Sequence, residues 1–110
     1  MGFSLEDYLL IQNDWSLRTF GPGAKTQGVL AHIREELLEV ASDPTDTTEW
    51  VDIVLLAFDG AFRNGASPED VISALVNKQF INKKRTWPDW RLVPEGQPIK
   101  HVKTDGEAQK

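Results

Sequence analysis

The sequence predicts an all-α domain of four helices, and three observations carry that expectation. Apolar residues recur at spacings of three and four along four segments, capping or breaking residues bound each segment, and no stretch alternates apolar with polar residues over a strand's length. With 110 residues, 40% of them hydrophobic, the chain suits one compact domain with a modest core.

The first helix begins after Ser4, an N-cap residue with Asp7 in the capping-box position, carries Leu5, Tyr8, Leu9 and Trp15, and ends near Arg18. Two glycines around a proline in Thr19-Phe20-Gly21-Pro22-Gly23 then forbid regular helix and favour a defined turn. The second helix is expected from about Thr26 to Ala41, with Val29, Leu30, Ile33, Leu37 and Val40 as its apolar stripe, stopped by Asp43-Pro44-Thr45. The third starts after Asp46, with Glu49 three residues later, and ends at a cap near Gly65. Its apolar residues surround nearly the whole circumference, which predicts a buried helix. Ser67-Pro68-Glu69-Asp70 opens the fourth, which carries Val71, Ile72, Leu75, Val76 and Phe80. Beyond Arg85, Thr86-Trp87-Pro88-Asp89-Trp90 cannot be helical before its proline and is expected as an extended arm. Residues 94–110 offer almost nothing to bury and read as a disordered polar tail, leaving 1–93 as the domain.

Composition narrows the function. A net charge of -5 repels phosphate backbones, so nucleic acid is not expected as a partner. The absence of cysteine removes disulfides, thiol nucleophiles and Cys-based zinc sites and fits a reducing cytoplasm. No basic leader or membrane-length apolar run is found, so a soluble, untargeted protein without membrane contact is expected.

The acids are the informative residues. At 100° per residue, Glu49, Asp52 and Asp59 share one sector of the third helix, with Arg63 inside it as a possible partner for Asp59. His32, Glu36 and Glu39 share a sector of the second helix, beside its apolar stripe. Carboxylates at the edge of a core repel one another and call for a positive counter-charge, and oxygen ligands without cysteine select hard cations such as Mg²⁺ or Mn²⁺. Glu35 reads as a solvated residue, Glu49 as either a capping partner of Asp46 or a ligand, and His32 as a hydrogen-bonded boundary residue outside the metal set. Gly21-Pro22-Gly23-Ala24-Lys25-Thr26 echoes a phosphate-binding loop but lacks both the glycine before lysine and the preceding strand.

Glu36-x-x-Glu39 followed by Glu49-x-x-Asp52 resembles the paired motifs of the MazG-like all-α nucleoside triphosphate pyrophosphohydrolases. Trp15, Thr19-Phe20-Gly21-Pro22-Gly23, Gly28-Val29, His32-Ile33, Glu49-Trp50-x-Asp52, Asp59-Gly60-Ala61, Arg63, Lys78, Asn82, Arg85 and Trp87-Pro88-Asp89-Trp90 look like the phage and bacterial dATP/dGTP pyrophosphohydrolase branch, over residues 15–91. The connection between Glu39 and Glu49 is shorter than is usual in the wider superfamily. The resemblance implies hydrolysis of a purine deoxynucleoside triphosphate to the monophosphate and pyrophosphate, with Mg²⁺ or Mn²⁺ held by Glu36, Glu39, Glu49 and Asp52, and Glu36 or Glu39 as base. It also implies substrate contacts from Lys78, Asn82, Arg85 and Asp59. Trp15, Phe20, Trp50 and Trp87 could stack on a purine or serve as core or interface aromatics, and Trp87 is the one taken as a substrate contact. Lys78, Asn82 and Arg85 lie at i, i+4 and i+7 and so share a helix face, which by spacing alone could equally be a solvated basic end. So small a chain is expected to assemble as a homodimer or homotetramer. A non-catalytic acidic interaction module, or a hydrolase of the same fold acting on other nucleotides, stand as the alternatives.

Overall fold

The computed structural model describes residues 2–103 and is all-α: α1 Leu5–Phe20, α2 Thr26–Ser42, α3 Thr47–Arg63 and α4 Pro68–Lys84, with a single 3-10 turn at Trp90–Leu92 and no strand among the described residues. No helix in this region is long and apolar enough to cross a membrane. The chain groups into two compact units that divide between Ala74 and Leu75, inside α4.

Local chemistry explains where the helices begin and end. Ser4 Oγ accepts from Asp7 N–H at 3.2 Å at the start of α1, and Gly21 closes that helix at φ 88°, a conformation open to glycine. Asp46 Oδ1 accepts from both Thr48 N–H and Thr48 Oγ at the start of α3. Ser67 and Asp70 cap α4 reciprocally, at 3.1 and 2.9 Å. Only α2 starts without a side-chain cap, its N-terminal residue Lys25 lying in the left-handed region at φ 50°. Four residues, 43–46, join α2 to α3, and that short link makes the two helices antiparallel neighbours.

In the first unit α3 packs chiefly on α2 and also meets α1. Gly60 faces Val29 across the α2–α3 contact, where a Cβ would sit 3.4 Å from Val29 Cγ1. Leu9 of α1, Phe62 of α3 and Val71 at the start of α4 form the buried centre, with Leu5, Phe58, Ala61, Ala66 and Ile72 packed around it. The expectation of a buried α3 is corrected here. Trp50, Val51 and Val54 stay exposed, because helices cover only part of its circumference in the single chain. Leu30 and Leu37 of the α2 stripe are exposed as well, and Val40 is its one fully buried member.

In the second unit the end of α4 runs into the arm. Trp87 Nε1 donates to Asn82 O at 2.7 Å, and Asp89 Oδ1 accepts from the backbone and side chain of Arg91. Residues 94–103 form no helix or strand, yet they return to the arm, where Val102 N–H donates to Thr86 O at 2.7 Å and His101 meets the Trp87 ring edge-on. The rest of the expected tail, 104–110, lies outside the described residues.

Leu9 is completely buried at the meeting point of three helices. Leu9→Ala should cost about 2–5 kcal/mol and lower the melting temperature by at least about 8 °C, read by thermal denaturation under circular dichroism.

Candidate metal centre and nucleotide cavity

The antiparallel α2–α3 pair brings two acidic motifs together. Glu36 and Glu39 lie three residues apart on α2, Glu49 and Asp52 three apart on α3, and one oxygen from each can be chosen so that all four lie within 4.8 Å of one another. Glu36 is buried, Glu49 half-buried, and Glu39 and Asp52 exposed. Two oxygens, Glu36 Oε2 and Glu49 Oε2, are buried without any hydrogen-bond partner. A buried carboxylate oxygen without a donor is unfavourable, so the protein holds these groups in a state that a cation would relieve.

The electrostatics agree. A hydrogen bond shared with Glu39, burial, and the charges of Glu39, Asp46 and Asp52 push the Glu49 carboxyl up to about 7. Burial is the first cause raising Glu36, followed by the hydrogen bond and charge of Glu39 and the charge of Asp52; His32 opposes the shift. His32 Nε2 stands 3.3 Å from Glu36 Oε1, the boundary role expected of it. Glu49 does not complete a capping box, since the Asp46 N–H donates to Asp43 O and the Asp46 carboxylate is engaged by Thr48. Four hard oxygen donors, two with orphaned lone pairs, fit a divalent cation.

Beside the acids opens a cavity of about 380 Å³, within the size range of small-molecule sites. Glu36 and Asp52 stand in its wall, and the rest comes from α1, α2, α3 and the loop before α2. α1 supplies Gln12, Trp15, Ser16 and Phe20, and the two aromatic rings pack edge to face with centroids 5.4 Å apart.

Asp59 lies in this wall, but both of its oxygens are engaged. Oδ1 accepts from Ser16 Oγ at 2.6 Å and Oδ2 from Arg63 Nε at 2.8 Å. The Arg63 side chain is only 1% exposed. Its guanidinium also donates to Gly21 O, Gly23 O, Ser16 O and Ser16 Oγ at 2.8–3.3 Å. A planar fork satisfies all five donor directions here, which an ammonium group could not do. Arg63 thereby ties the Gly21–Gly23 loop and α1 to the C-terminal end of α3.

Of the other residues anticipated from the sequence, Asn82 and Arg85 are hydrogen-bonded to each other through Oδ1 and Nη1 at 3.2 Å in the second unit. Lys78 lies one turn before Asn82 on α4, and Trp87 is occupied by Asn82 and His101. Sequence reasoning missed Gln12, Ser16, Gly28 and Leu55 as cavity residues. Only Ser16 left a signal, a polar residue one turn from Gln12 beside Trp15, on a helix face that had to meet other helices.

A model of the dATP/dGTP pyrophosphohydrolase family matches residues 10–108. The Eaa protein of Salmonella phage P22 is 39% identical over 95 residues, which make up 86% of this chain and 29% of that protein. The chain thus spans less than a third of the length of that relative. No solved structure matches it.

The raised Glu49 carboxyl has a consequence for pH. Unfolded, it loses its proton near its ordinary value of 4.5, and folded, only near 7. The folded state therefore binds the extra proton between these values, and the metal-free protein should lose stability as pH rises from about 4.5 to about 7. Glu49→Gln should match wild type at pH 4 and melt higher at pH 8 in the presence of chelator. Parallel thermal melts at both pH values check this, and identical melts at pH 8 would refute it.

Proposed function

Because this chain belongs to the dATP/dGTP pyrophosphohydrolase family, we propose that it hydrolyses purine deoxynucleoside triphosphates to the monophosphate and pyrophosphate. The observation that carries the reading is the group of four carboxylates with two orphaned buried oxygens. Glu36, Glu39, Glu49 and Asp52 would hold Mg²⁺ or Mn²⁺, which when bound neutralises the triphosphate and makes water a better nucleophile.

Glu36 or Glu39 accepts the proton of the attacking water while its oxygen bonds to phosphorus and the phosphoanhydride link between the α and β phosphates breaks. The electron pair of that link leaves on the departing phosphate oxygen. The acids take the phosphate end of the cavity, and the nucleoside extends along the wall supplied by α1 and the first half of α2. Asp59 acts there through Ser16 and Arg63, by holding α1 and the loop in place. Lys78, Asn82 and Arg85 are assigned to phosphate or sugar contacts, and Trp87 to their support. Residues 1–93 form the catalytic domain in this reading.

A homodimer or homotetramer in the cytoplasm is part of the proposal. It is supported by apolar side chains that the single chain leaves to water, among them Leu38 at 71% and Trp50 at 52% exposure. Light scattering after gel filtration reads the assembly directly.

Mg²⁺ or Mn²⁺ should raise the melting temperature by mass action, and Asp52→Asn should shrink that response and lower kcat for dATP and dGTP by about 100-fold or more. Scanning fluorimetry with and without cation, together with chromatographic analysis of products, checks both, and a wild type indifferent to both metals would refute the site. Arg85→Ala removes a charge-assisted contact worth about 1.5–3 kcal/mol, so kcat/KM should fall by about ten- to a hundredfold with the metal response intact. Unchanged kinetics would remove Arg85 from the substrate contacts.

A further inference from the structure

Among the described residues two glycines lie inside helices, and they differ in what surrounds them. Gly60 faces a packed neighbour, since a Cβ there would sit 3.4 Å from Val29 Cγ1 of α2. Gly28 faces none: beyond its own stretch of α2, a Cβ built on it meets no heavy atom within 4 Å, and no unusual φ demands a glycine. Glycine weakens a helix relative to alanine, so its place in the first turn of α2, already without a side-chain cap, is unfavourable for folding. Gly28 helps to form the cavity wall, and it shares one face of α2 with His32 and Glu36, at i+4 and i+8, which stand in the same wall.

Position along the cavity follows from helix geometry. Gly28 lies eight residues before Glu36 on α2, a rise of about 12 Å away from the acids. At that end Thr26 is hydrogen-bonded to Asn64, and Arg63 holds Gly21 and Gly23. We propose that Gly28 is where the α2 backbone passes directly against the deoxynucleoside part of the substrate, and that its missing side chain sets the room available there. The proposal rests on the functional reading above and adds a specificity-determining residue to it. A methyl group at this position points into ligand space and displaces the sugar or base from the wall, while the phosphate end is left as it was.

The test uses Gly28→Ala and Gly28→Leu in the full chain, with Mg²⁺ and non-hydrolysable α,β-methylene analogues of dATP and dGTP in isothermal titration calorimetry. Inorganic pyrophosphate and Mn²⁺ alone serve as probes of the acid end. Alanine should raise the melting temperature by about 2–8 °C, through its better helix propensity. It should at the same time weaken analogue binding by about 10- to 200-fold, the range for one methyl group in a fitted pocket. Leucine should abolish analogue binding, and both variants should keep wild-type responses to pyrophosphate and Mn²⁺. A more stable alanine variant with unchanged analogue affinity overturns the proposal, and so does an equal loss of analogue and pyrophosphate binding. A wild type that responds to Mn²⁺ and pyrophosphate but binds neither analogue overturns the functional reading instead, and the role of Gly28 with it.

Discussion

Four carboxylates held within a few ångströms of one another repel, and within their own helices only His32 beside Glu36 opposes that repulsion. The energy that keeps Glu36, Glu39, Glu49 and Asp52 together comes from the pairing of α2 with α3. A four-residue link sets that pairing at one end, and Gly60 faces Val29 nearer the other. Burial and like charge are expressed as a raised Glu49 carboxyl and two oxygens without partners. A folded chain that carries such unrelieved groups is arranged for what it binds more than for its own stability.

The opposite end of the pair shows the reverse economy of charge. Arg63 and Asp59 are buried together, and every polar atom of the pair finds a partner in the other member, in Ser16 or in the loop carbonyls. Removing one member of such a pair costs about 3–5 kcal/mol, because the other is left charged and unmatched. The two ends of α3 therefore have different work. The N-terminal acids form a cluster suited to a cation, and the C-terminal pair fixes the loop and the aromatic wall of α1 that bound the cavity. An acidic surface made for docking a basic partner would need neither the buried orphaned oxygens nor the adjoining cavity.

Much of the first unit's apolar surface stays in water. Its fully buried side chains are few, whereas long apolar residues of α2 and α3 remain exposed. The helices follow the amphipathic logic of a core, but a single chain of this size supplies only part of the partner surface. The family relation covers nearly all of this sequence and under a third of the phage relative's length. The shared segment is thus the helical part that carries the acids and the cavity wall.

Helix number, helix limits and the two acidic motifs were legible in the sequence, since all three rest on short-range rules. Ser4, Asp46 and the Ser67–Asp70 pair act on backbone amides two or three residues away, and Glu-x-x-Glu and Glu-x-x-Asp share helix faces through the 3.6-residue period. Arg63 was visible as a partner for Asp59 for the same reason, at four residues' distance. Other features were beyond it. Ser16 meets Asp59 and Arg63 across more than forty residues, so no local pattern marks it. The burial of α3 was overestimated because periodicity tells which faces are apolar and not how many helices arrive to cover them. Gly28 reads from the sequence as a weak point in a helix, and only the packing of α1, α2 and α3 around the cavity reveals that the space before it is left open. The sequence determined the elements and their chemistry through contacts within a turn or two of helix. The tertiary structure alone decided which charges are paired, which are left waiting and where a ligand has room, because those depend on surfaces that meet only after the chain has folded.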